Sequence, residues 1–191
     1  MRMISKNLFL IFGFIFYMGI FSCSAPKSDN EEISADSTEE SSPEDTRASP
    51  LKNTEGTIGN KSVKIQYSSP AVKDRNIWGD LVPYDEVWRT GANEATFIEL
   101  AEDVVVEGEP LNAGKYSLFT IPRENGDWTI IFNSEWDLEH GHFQYDEEMD
   151  VLRVTAAPEW TDSSQEWLSI EIVDSGIEVK WEKMKLPIHI E

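Results

Sequence analysis

The chain has 191 residues and a formal charge of −20, with 36 Asp and Glu against 16 Lys and Arg. That balance excludes recognition of a phosphate backbone and adhesion to anionic lipid by charge, because both need basic patches, so no nucleic-acid partner is expected. The single cysteine, Cys23, excludes an intramolecular disulfide.

Residues 1–22 have the layout of an export signal: Arg2 and Lys6 precede an uncharged apolar run over 8–21, too short to span a bilayer comfortably. The string Ile20-Phe21-Ser22-Cys23 resembles a bacterial lipobox, although Phe21 is a loose fit to the small residue usual there. The resemblance implies cleavage before Cys23, acylation of that cysteine with palmitate-type chains, and attachment to the membrane through the lipid. Lys27, Asp29, Glu31 and Glu32 loosely resemble the signals that send Bacteroidetes lipoproteins to the cell surface. The expected location is therefore the cell envelope, anchored to the outer membrane, with the periplasmic and surface faces both open.

From Cys23 to residue 60 the composition turns to Ser, Glu, Asp, Thr and Pro, with almost nothing large and apolar to bury. Such a segment cannot offset its ordering entropy and reads as an extended acidic tether. Residues 61–191, about 130 in number, are enough for one domain with a sizeable core, and all seven Trp lie there.

Within 61–191 short strands follow one another. In "SVKIQYS" Val63, Ile65 and Tyr67 alternate with polar residues. "TFIEL", "DVVVEG", "KYSLFTIP", "DWTIIFN" and "DVLRVTAAP" come next, with turns expected at "EPLNAG" and "RENGD". In "EWLSIEIV" Leu168, Ile170 and Ile172 alternate. "DSG" then leads into "IEVKWEK", where Ile177, Val179 and Trp181 share one face, a hairpin signature. No segment keeps helical periodicity, so the expected fold is all-β, an antiparallel sandwich or distorted barrel.

Between the first two strands lies a long irregular stretch containing Lys73, Asp74, Arg75, Trp78, Tyr84, Trp88 and Arg89. Long connections of this kind are functional or ordered by their own packing. Two readings arise. In one, Trp88 plugs the sandwich and Arg89 forks onto Glu94 or Asp74 as an ionic clasp, with Gly91 supplying a backbone geometry that a side chain would forbid. In the other, Arg75, Arg89 and Asn93, with Glu94 beside them, converge on an anionic or sugar ligand, and Trp78 and Tyr84 offer stacking surfaces.

Other motifs contribute less. "GEPLNAGK" has the wrong spacing for a phosphate loop and lies between strands. His140 and His142 would share a side if extended, with Asp137 or Asp146 completing a metal shell, but two histidines are an incomplete ligand set. Asp146, Glu147, Glu148 and Asp150 lack the calcium-loop pattern. No catalytic motif is present to name a nucleophile or an acid–base pair, and no cofactor is expected.

The strings "WRTGANEATFIEL", "VEGEPLNAGKYSLFTIP", "WTIIFN" and "DVLRV" resemble the DUF2911 family of exported bacterial proteins, found mainly in Bacteroidetes. The resemblance implies an exported β-rich domain and no particular chemistry. After "IIFN" the family commonly carries Trp-Gly, whereas this chain has "SEWDLEHGHFQYD". Three functions fit: a tethered domain that binds a small molecule, glycan, peptide or envelope protein; an envelope hydrolase or metal-dependent enzyme with its site near "WRTGANEAT"; and a purely structural envelope component.

Overall fold

The computed structural model describes residues 46–191, all within one compact unit. The stretch read as an export signal, Cys23 and most of the stretch read as an acidic tether lie outside the described residues. The regular structure described is all strand apart from two short 3-10 turns, with no α-helix.

Six strands form one antiparallel sheet in the order β1-β2-β3-β6-β7-β8: β1 is Leu51–Ile58, β2 Lys61–Ser68, β3 Ala92–Leu100, β6 Gly114–Ile121, β7 Trp128–Asn133 and β8 Asp150–Ala156. β9, Glu159–Val173, and β10, Gly176–His189, make a long hairpin. Backbone bonds extend it into a second layer. Val72 N–H donates to Glu166 O and Leu168 N–H to Pro70 O on one side. On the other side, Val105 and Glu191 exchange bonds, which brings in β4, Val104–Val106, and its partner β5, Glu109–Leu111. The result is a sandwich whose sheets do not close into a barrel.

The inward residues are the alternating ones. Val63 and Ile65 of β2, Ile98 and Leu100 of β3, and Trp128, Ile130 and Phe132 of β7 meet Leu168 and Ile170 of β9 and Ile177, Val179 and Trp181 of β10, all buried in one core. β10 then changes phase. Glu182 is in the left-handed region at φ 55°, the register slips on both sides of it, and the inward set continues as Met184, Leu186 and Ile188. One bulged residue lets a 14-residue strand keep a buried face along its length.

Two expectations are corrected. The folded domain begins before residue 61, because β1 occupies part of the stretch read as tether and pairs with β2 along its whole length. "LKNTEGTI" hid this strand, since only Ile58 in it is buried and its other side chains are mainly polar. "EPLNAG" is not simply a turn: its first three residues form β5, and the chain reverses at Glu107 and Gly108, with φ 48° and 88°.

The central strands also bury their outer faces. Ala95, Phe119, Ile121 and Ile131 form a second cluster under the 134–149 connection, which contributes Leu138 and Tyr145. The Tyr145 hydroxyl donates to Asp150 (2.7 Å) and accepts from Arg153 (2.6 Å), while Asn133 also donates to Asp150 (2.8 Å). Burial and the bond to Asp150 push the Tyr145 phenol up to about 12, with Arg153 opposing.

Candidate functional site

Arg75 and Arg89 reach the protein surface on the long connection between β2 and β3, which is ordered by its own hydrogen bonds. Arg75 N–H donates to Val72 O, Leu81 to Asn76 O and Val82 to Ile77 O, and Trp88 exchanges two bonds with Thr120 of β6. Trp78 and Trp88 are thereby carried into the sandwich. Trp78 lies 5.6 Å from Trp88, 4.9 Å from Trp128 and 5.9 Å from Trp181, and Trp88 stacks on Trp181 at 5.9 Å and 19°.

The turn from Arg89 to Asn93 is tightly constrained. Thr90, fully buried, sits at φ 51°, an uncommon conformation for a β-branched residue. It is held where the Thr96 hydroxyl donates to its carbonyl (3.0 Å) and its own hydroxyl meets that of Thr120 (3.3 Å). Gly91 is required for space and not for a left-handed backbone. A Cβ there would lie 2.9 Å from Thr96 Oγ1 and 3.0 Å from the Ser68 carbonyl.

This turn opens onto a cavity of about 330 Å³ lined by Arg75, Arg89, Asn93 and His142, with Ser49, Pro70, Leu81, Val82, Trp88 and Trp181 among the rest of its wall. Three of the six candidate ligand residues thus meet. The other three do not. Trp78 packs in the tryptophan cluster, and Tyr84 lies against Gly79. Glu94 lines a separate cavity of about 250 Å³, where Lys115 lies 3.6 Å from the ring centres of both Phe97 and Trp136.

The ionic clasp is not formed. Glu94 accepts from Arg47 at 2.5 Å and from the Ser68 hydroxyl at 2.8 Å. Burial would raise its carboxyl, but hydrogen bonds from its own backbone N–H, Ser68 and Arg47 outweigh this and hold it below the usual range. Arg89 instead donates from Nε to His142 Nδ1 (3.1 Å) and from Nη1 to the Asn93 carbonyl, and its guanidinium lies 5.4 Å from the Phe143 ring. Burial lowers the Arg89 guanidinium from its ordinary value, with Glu94 opposing, yet it remains a cation.

His142 is engaged by Arg89. Gly141–Gln144 is a 3-10 turn, so His140 and His142 do not share a strand face. Burial and the Arg89 charge hold the His142 imidazole below its ordinary value, with Glu86 opposing. The neutral ring accepts Arg89 at Nδ1 and so carries its proton on Nε2, a donor. Among the described residues no three His, Cys, Asp or Glu side chains come together to hold a metal.

Two features mark this cavity. Five arginines are described. Arg47, Arg123 and Arg153 each pair with a carboxylate, whereas Arg75 and Arg89 have none within ion-pair distance among the described residues, and both line the same cavity. The lining is also rich in donors. Arg75 spends Nε and Nη2 on the Val72 and Ala71 carbonyls, leaving Nη1; Arg89 keeps Nη2; and the buried Trp181 Nε1 has no acceptor among the described residues. A larger open groove of about 680 Å³ between β1 and β9 holds Lys52, Glu166, Glu171 and Trp167 but has no such concentration of unpaired charge.

A sequence reading misses Trp181, Leu81 and the imidazole's part in holding Arg89. Contacts that join residues 89, 142 and 181 are set by tertiary packing and leave no local pattern.

No curated protein and no solved structure matches the chain. One family model does, over residues 49–190, and its description is a protein of unknown function, DUF2911.

Proposed function

Since the chain belongs to the DUF2911 family of proteins of unknown function, we propose from its own site that it is a membrane-tethered cell-envelope domain that binds small anionic ligands between Arg75 and Arg89. The observation that carries the reading is the pair of arginines without carboxylate partners among the described residues, in a chain of charge −20. Of the two, Arg89 is half-buried, where a guanidinium is ordinarily paired. Two guanidiniums facing one cavity, beside a neutral imidazole and an amide, suit a group that only accepts hydrogen bonds, such as a carboxylate, sulfate or phosphate. The tether rests on the lipobox-like string at Cys23 and the acidic composition that follows it.

Titration calorimetry with acetate and sulfate tests the site. Removing one charge-assisted bond costs roughly 1.5–3 kcal/mol, so Arg89→Gln is expected to weaken binding about tenfold to a hundredfold. No buried carboxylate loses its partner, so the urea midpoint should correspond to a loss of only about 1 kcal/mol. Absence of anion binding by the parent chain, or equal binding by Arg75→Gln, Arg89→Gln and the parent, overturns the reading. For the tether, Cys23→Ala is expected to move the protein from the membrane fraction to the soluble one, and its retention with membranes rejects a lipid anchor.

A further inference from the structure

Resting on that reading, we infer that the ligand class is an organic carboxylate with an apolar body, an aromatic or short-chain acid, in preference to inorganic anions and sugar acids. The donors cluster, because Arg89 is bonded to both His142 and Asn93. The remainder of the wall is largely apolar: Trp88, Trp181, Val82, Pro70 and Leu81. Trp88 has spent its N–H on the Gly91 carbonyl at 3.1 Å, so its remaining surface toward a ligand is hydrocarbon.

Inorganic phosphate or sulfate would satisfy the guanidiniums but leave this wall unused. A sugar acid would bring its hydroxyls against this largely apolar wall, and each hydroxyl left unpaired on burial costs affinity. An acid with a hydrocarbon body meets both halves: its carboxylate accepts from Arg75 and Arg89, and its body removes apolar area from water against the indoles and Leu81. A volume of about 330 Å³ sits at the small end of ligand sites and fits an acid of modest size.

Leu81 offers a clean test because it lines the cavity yet is 44% exposed, so its replacement leaves the core intact. Affinities for acetate, hexanoate, phenylacetate, gluconate and inorganic phosphate are measured on the full chain by calorimetry. Each methylene that becomes buried is worth about fourfold, so hexanoate is expected to bind more than tenfold tighter than acetate, with phenylacetate alongside it. Leu81→Ser should weaken hexanoate several-fold and leave acetate unchanged. Equal affinities for acetate, phosphate and hexanoate overturn this inference while preserving an anion site, as does gluconate binding as tightly as hexanoate. Hexanoate binding that is unaffected by Leu81→Ser removes the proposed seat for the apolar body. Failure of every anion to bind overturns the anion site itself.

Discussion

The placement of the Arg89 guanidinium depends on a glycine more than fifty residues away in sequence. Gly141 has φ 53°, and a Cβ there would lie 2.6 Å from Arg89 Cδ and 2.8 Å from Nε. Gly141→Ala therefore meets two penalties. A left-handed backbone costs a residue with a side chain roughly 1–2 kcal/mol, and the arginine stem must move away from His142 and Asn93. The expected outcome is a loss of about 1–2 kcal/mol in urea unfolding together with weakened acetate binding in calorimetry. A variant that loses stability but keeps parental affinity would show that this contact does not set the guanidinium's position. "WRTGAN" made Arg89 and Asn93 visible as neighbours of a turn, but the sequence contains no local sign of which partner the arginine takes. Glu94 is nearer in the chain than His142 and is nevertheless held by Arg47 and Ser68.

Among the elements, those with clean alternation were legible and those stabilised by pairing were not. β2, the second half of β9 and the start of β10 show a period of two because one face is buried against the other layer. β1 is polar along most of its length and exists through its ladder with β2, the buried Ile58 and the approach of Gly56 to Ile172, where a Cβ would lie 3.4 Å from the Ile172 side chain. The phase change at Glu182 also escapes pattern reading, because "KWEKMKLPI" fits neither parity throughout. Since β1 is structural, a chain starting at residue 46 and one starting at residue 60 should differ sharply. Removing β1 uncovers the β2 edge and discards Ile58, whose burial alone is worth about 1.5–3 kcal/mol, so the shorter chain should lose at least about 3 kcal/mol once ladder bonds are included. Equal urea midpoints for the two chains would show that β1 adds nothing to stability.

For the whole molecule, the charge of −20 sets the dominant long-range force. Mutual repulsion of that size opposes a compact state, and it is screened once the Debye length falls below the spacing of the charges. The surface ion pairs Lys64–Glu55, Lys185–Glu159 and Lys180–Glu171 contribute little each and weaken with salt. Raising sodium chloride from about 0.01 M to about 0.5 M should therefore raise the thermal midpoint, and a fall would mean that local pairs outweigh the global repulsion. The cavity's two wall indoles have a consequence of another kind. Trp88 and Trp181 lie nearly parallel at 5.9 Å, close enough for their electronic transitions to couple as one chiral pair. A body seated against them alters that coupling, so circular dichroism of the unlabelled chain becomes an optical gauge of whether the cavity is filled.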